Sequence, residues 1–117
     1  MVLRNKQEVV GIKQYLLDKL KEEDAFWSYS PASISLSTID DDNLIAYTMR
    51  FLDLDEIKLL FRIFAKSKIK RAWHRLLVPE GEYLYTLNRF FVWYYFRAKC
   101  PDSYLKSLYT RHLNRTI

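Results

Sequence analysis

Few residues in this chain could begin a reaction: the thiol of Cys100 and the imidazoles of His74 and His112. A thiol acts as a nucleophile when its pKa is lowered and a base stands beside it. Cys100 precedes Pro101 at an expected helix junction, a setting that can lower a thiol pKa, but no histidine neighbours it in sequence. His74 follows Trp73 inside a Lys/Arg-rich stretch and reads as a surface histidine, and His112 stands near the carboxyl end with no acid close by. Glu80 and Glu82 flank Gly81 as two loop carboxylates. Asp40, Asp41 and Asp42 are the sharpest metal candidate, a run of hard oxygen ligands. Consecutive helical residues point in different directions, however, and the same aspartates suit a helix N-cap and first turn. Phosphate-loop, dinucleotide, HExxH and paired CxxC spacings do not occur. The sequence therefore assigns no catalytic residue, no metal ligand and no cofactor, and the expectation is a non-enzymatic protein.

Charge is the stronger signal. Residues 1–56 hold six Lys/Arg and eleven Asp/Glu, residues 57–79 hold seven Lys/Arg and no acid, and residues 80–117 hold six Lys/Arg and three Asp/Glu. The basic stripe is Lys58, Arg62, Lys66, Lys68, Lys70, Arg71 and Arg75. Such polarity fits an acidic part and a basic part that face each other, or a basic part that faces an anionic partner. Lys66, Lys68, Lys70, Arg71 and Arg75 are the candidate partner- or nucleic-acid-binding residues. A helix over 54–64, a turn at Ala65-Lys66 and a helix over 67–77 have the layout of a helix-turn-helix, whose second helix would meet phosphates. That helix offers almost no Asn, Gln or Ser for base edges, so contact there would be independent of base sequence.

These residues need elements to place them. Val9, Ile12, Leu16 and Leu20 make one face of a helix over 5–22. Residues 25–39 are Ser-rich and read as an extended connector anchored by Phe26, Trp27, Ile34 and Leu36, with Ser33–Ser37 alternating like a short strand that has nothing to pair with. Asp53-Leu54-Asp55-Glu56 has the form of a capping box. Residues 82–99 form the most apolar helix; between Tyr83 and Phe96 only Thr86, Asn88 and Arg89 are not hydrophobic. A helix apolar nearly all round should be covered on several sides. Pro101 suits the first turn of a last helix with Tyr104, Leu105, Leu108, Tyr109 and Leu113 on one face. The fold class is all-α: one compact domain over residues 1–117, a bundle of five to six short helices around a central aromatic-rich helix. One cysteine excludes an intrachain disulfide, and the longest apolar run, Phe90–Phe96, is far short of the roughly 20 residues that span a bilayer. With no export signal, the expected location is the cytoplasm.

Several stretches carry a resemblance: Phe26-Trp27-Ser28-Tyr29, Asp41-Asp42-Asn43-Leu44-Ile45, Leu52 through Ile57, Leu60-Phe61, Lys68 through Trp73, Leu77-Val78-Pro79 and Leu87-Asn88-Arg89. Over about residues 24–106 the chain resembles a family of small proteins from Bacteroides-type bacteria, often encoded beside nucleotidyltransferase-like toxins of the abortive-infection type. The resemblance implies an antitoxin-like or accessory role in a toxin–antitoxin system, with a toxin as the protein partner. Its motifs are structural and transfer no functional residue. The expected function is thus a protein-interaction module, and the alternative is a helix-turn-helix-like nucleic-acid-binding domain that uses the stripe 58–75.

Overall fold

Asn5 opens the first helix by accepting hydrogen bonds from the backbone N–H groups of Gln7 (2.9 Å) and Glu8 (3.3 Å). This is the ordinary work of an N-cap, since the first N–H groups of a helix have no partner within it. The computed structural model describes residues 5–23, 25 and 34–116, and the side chains among these except 82, 109 and 111–116. Six α-helices follow one another: α1 (Lys6–Glu22), α2 (Asp41–Phe51), α3 (Leu54–Ile63), α4 (Lys66–Leu76), α5 (Tyr85–Tyr94) and α6 (Pro101–Thr116). A 3-10 segment, Val78–Leu84, precedes α5, and no strand occurs among the described residues. The chain is all-α, as its hydrophobic periodicity requires.

The chain forms two compact units, Met1–Ala72 and Trp73–Ile117, with the boundary inside α4. In the first unit α1 packs on α2 and α3, and α2 packs on α3. Leu16, Leu17 and Leu20 of α1, Leu44, Ile45 and Met49 of α2, and Ile57, Leu60 and Ile63 of α3 are buried. In the second unit α5 is the centre, packed against both α6 and the 3-10 segment. Phe91 and Val92 of α5, Leu105 and Leu108 of α6, and Val78 and Leu84 are buried there.

Four details differ from the expectations. The described part of the Ser-rich connector is a turn and not extended chain. The Ser35 N–H donates to Thr38 Oγ1 (2.8 Å), and the Thr38 and Ile39 N–H groups donate back to the Ser35 carbonyl (3.0 and 2.9 Å). Hydroxyl side chains that compete for backbone groups close such turns. Phe26 and Trp27 lie outside the described residues, while Ile34 and Leu36 are half-buried. The capping box at Asp53 does not form. Asp53 occupies the N-cap, but its side chain makes no cap hydrogen bond. Glu56 sits on the inward side of α3 beside Leu60 and Ile63, where Lys19 of α1 feels its charge. The α4 helix begins at Lys66, inside the expected turn, so α3 and α4 are joined by Phe64 and Ala65 alone.

The aromatic helix is also shorter than its apolar run. Gly81, at φ 59° and ψ −130°, holds a conformation that side chains disfavour, and the 3-10 segment rather than α5 spans it. At the other end Arg97 takes the left-handed conformation, φ 54°, and the Ala98 N–H reaches back to the Val92 carbonyl (3.1 Å). A left-handed residue turns the chain away just after the helix, a place usually given to glycine. Because arginine takes that place here, composition gave no warning of the helix end.

Candidate functional site

Two surfaces carry the chemistry that remains after packing. One is the outward arc of α4. Ile69, Ala72, Trp73 and Leu77 are buried and, at 3.6 residues per turn, share one side of the helix. Arg71 then lies at the middle of the opposite arc, with Lys70 on one flank and Lys68 and Arg75 on the other, while Lys66, the first residue of the helix, falls in the angular sector of Trp73 and Leu77. Lys66, Arg71 and Arg75 are exposed, and Lys68 and Lys70 are half-buried. Of the five sequence-predicted site residues, Lys68, Lys70, Arg71 and Arg75 share the outward arc and Lys66 stands at the helix's first position; α4 contains no acid.

Lys68 takes part in a shared ion pair. Its ammonium lies 2.9 Å from Asp41 Oδ2, while Lys13 of α1 lies 3.1 Å from Asp41 Oδ1. Both ammonium groups also stand 5.3 Å from the centre of the Phe64 ring, close enough for a cation–π attraction. Partial burial pushes the Asp41 carboxyl upward, but hydrogen bonds from Lys68 and Lys13 outweigh it and hold the group below the usual carboxylate range. Of the three consecutive aspartates, Asp40 is the N-cap of α2, accepting from the Asn43 N–H at 2.7 Å. Asp41 serves the two lysines instead. No group of three or more His, Cys, Asp or Glu suited to a metal ion occurs among the described residues.

The second surface is on α5. Asn88, Phe91 and Val92 form its buried side. The opposite side carries the row Thr86, Phe90 and Trp93, with Arg89 on one flank and Tyr94 on the other. Trp93 is 59% exposed and Tyr94 46%. Phe90 stacks on Tyr94 with ring centres 5.3 Å apart and planes 15° from parallel, and Trp93 lies 6.4 Å from Phe90 and 6.0 Å from Tyr94. A helix expected to be covered on several sides thus presents aromatic rings to solvent. The reason is local: α6 and the 3-10 segment supply cover for one side only. Between Tyr83 and Pro101 the only charged residues are Arg89, Arg97 and Lys99, all basic. Arg89 donates from Nε to Asp102 Oδ1 (3.0 Å), and the Tyr85 hydroxyl donates to the same oxygen. Tyr85's hydrogen bond above all, helped by Arg89, holds the Asp102 carboxyl below its usual range against the opposing effect of desolvation.

The residues considered for nucleophilic chemistry are dispersed along the chain. Cys100 is exposed and its carbonyl caps α6 by accepting the Tyr104 N–H at 3.0 Å. His74 meets the edge of Trp73, ring centres 6.4 Å apart. His112 and the side chain of Glu82 lie outside the described side chains. Open hollows also mark the surface. A groove of about 470 Å³ between α1 and α3 is lined by Glu8, Gly11, Ile12, Tyr15, Leu59 and Arg62. A polar hollow of about 500 Å³ lies along Ser103, Lys106, Ser107 and Thr110 of α6. No helix among the described residues is long and apolar enough to cross a membrane.

Sequence reasoning found the basic arc because lysine and arginine carry their charge wherever the chain goes. It missed Lys13 and Asp41 as members of that neighbourhood, and it missed the open side of α5. A long aromatic run signals burial, and nothing in the run itself says which rings stay outside. Set against known protein families, curated proteins and solved structures, the chain matches none.

Proposed function

We propose that this chain is a non-enzymatic protein-interaction module whose contact surface is the open side of α5. The observation that supports this most is the exposure of Trp93 and Tyr94 beside Phe90 on one helical row. Large exposed apolar rings weaken solubility unless a partner covers them, and Trp and Tyr are the side chains that most often dominate binding energy. Their spacing, at positions i, i+3 and i+4, is that of helix faces inserted into a partner's groove. Arg97 and Lys99, exposed just beyond α5, ask for an acidic rim on that partner.

The resemblance read from the sequence makes a nucleotidyltransferase-like toxin the expected partner and this chain its antitoxin or accessory subunit. Co-purification with the product of the adjacent gene, followed by titration calorimetry, tests the reading. A complex at micromolar concentration is expected, weakened about 30-fold or more by Trp93→Ala, as for a hot-spot residue of about 2 kcal/mol. A chain that stays free at micromolar concentration, or a complex indifferent to Trp93→Ala, rejects it.

A further inference from the structure

We propose that the groove between α1 and α3 is a self-association site, and that its occupant is the same groove of a second copy of this chain, related by a two-fold axis. The groove lies wholly within the first unit. The inference does not depend on the α5 surface and stands or falls separately from it.

The groove begins as a helical spacing. Glu8, Gly11, Ile12 and Tyr15 stand at i, i+3, i+4 and i+7, so they form one ridge of α1, and Leu59 and Arg62 face it from one side of α3. Ile12 and Leu59 are half-buried and Tyr15 keeps 45% of its surface open, which gives the groove an apolar floor in contact with water. Gly11 widens it. A methyl group placed on Gly11 would meet nothing within 4 Å. Glycine inside a helix costs stability relative to alanine, and no close packing within the chain offsets that cost here. What the missing side chain does provide is room for a neighbour to come close to the helix backbone. An open apolar groove between two helices is the kind of surface that receives another helix.

The rim says which helix. Glu8 on the α1 side and Arg62 on the α3 side are exposed, carry opposite charge, and form no ion pair among the described residues. Lys13 stands by the Phe64 ring and Lys19 feels the charge of Glu56, so α1 and α3 run antiparallel and both rim charges lie toward the amino end of α1. A two-fold axis along the groove sets each copy's α1 over the other copy's α3. Glu8 then meets the partner's Arg62, and Arg62 meets the partner's Glu8, by one operation. A patch with one acid and one base across an apolar floor is complementary to itself, which is what a two-fold interface requires. A wholly acidic or wholly basic partner would leave Glu8 or Arg62 against its own sign, and such juxtaposition opposes binding.

The test measures the mass of the whole chain by sedimentation equilibrium from about 1 μM to about 1 mM, with circular dichroism confirming that each variant is folded. A reversible dimer is expected within that range. Glu8→Arg alone and Arg62→Glu alone are each expected to weaken it at least about 10-fold, because like charges then meet twice. An equimolar mixture of these two variants is expected to recover the dimer, with one copy of each, because every rim charge again faces its opposite. The chain that carries both changes is expected to recover it too. Gly11→Leu, which fills the gap in the ridge, is expected to weaken the dimer at least about 10-fold while Tm stays level or rises, since nothing in the chain packs against that position. A chain that stays monomeric to about 1 mM overturns the proposal. A dimer indifferent to Glu8→Arg and lost on Trp93→Ala moves self-association to α5. Failure of the mixed variants to recover removes the two-fold arrangement. A monomer that captures the product of the adjacent gene, and loses it on Glu8→Arg, gives the groove to that partner instead.

Discussion

Each unit holds a long-range polar tie that can be set against one in the other, and these two are built on opposite principles. In the first unit the tie is ionic and half-exposed: Lys13 and Lys68 meet on Asp41, whose side chain keeps 38% of its surface open. In the second it is neutral and dry. Trp73 Nε1 donates to Asn88 Oδ1 at 2.9 Å, and Asn88 Nδ2 donates to the Leu77 carbonyl at 3.1 Å. Trp73 and Asn88 are both fully buried. Charge is the stronger interaction in vacuum, but water screens the first tie and cannot reach the second. A buried neutral donor that loses its acceptor has no solvent to turn to, so the weaker groups make the more demanding bond. The ionic tie is correspondingly easier to open.

The comparison sharpens most at Asn88. Asn88→Ala leaves the Trp73 N–H without a partner inside the second unit, and a loss of about 2–3 kcal/mol is expected there. Amide exchange resolved along residues 73–108 should show the loss in this unit, and Trp73→Phe, which removes the donor as well, should recover part of it. Equal protection in wild type and Asn88→Ala would break the contrast. Asp41→Asn comes next, with a cost at neutral pH of about 1 kcal/mol at most, discounted for solvent screening. Its pH dependence has a fixed sign. The folded Asp41 carboxyl lies below its unfolded value, so its contribution is full above the unfolded pKa and disappears as pH falls through the folded one. Urea titrations of wild type and Asp41→Asn should therefore converge in strong acid and separate as pH rises past the ordinary aspartate range.

Two smaller effects run toward stability. Arg97→Gly relieves a left-handed residue at the end of α5 and should add about 1 kcal/mol, read as a rise in Tm. Thr48 is fully buried in the first unit, and its Oγ1 has no hydrogen-bond partner among the described residues. Thr48→Val removes the stranded hydroxyl and is expected to be neutral or stabilising by a few tenths of a kcal/mol in a urea titration. A clear loss would reveal a partner for that hydroxyl.

Much of the fold could be read directly. The apolar spacing at Leu16 and Leu20, at Ile57, Leu60 and Phe64, and at Ile69 and Trp73 placed three helices within a residue or two of their observed bounds. Asp40 through Asp42 announced the start of α2, since a side-chain oxygen before a helix has one favoured use. Asp53-Leu54-Asp55-Glu56 misled, because a capping box is a local pattern and Glu56 is turned to the inward side of α3, where one of its oxygens is buried. Arg97 misled for the opposite reason: a left-handed stop depends on backbone geometry, and any residue can be forced into it.

The sequence by itself determined that the chain is helical, that its cations collect in residues 57–79, and that a dense aromatic helix lies toward the carboxyl end. These are properties of spacing and residue type, carried by three or four neighbours at a time. Only the tertiary structure decided which charges are already answered and which rings stay open. Lys13 and Lys68 meet on Asp41 across 28 and 27 residues of chain, and Trp93 remains in water because no described helix covers its side of α5. Pairing and exposure are relations between distant segments, set by how helices pack, and no local pattern encodes them.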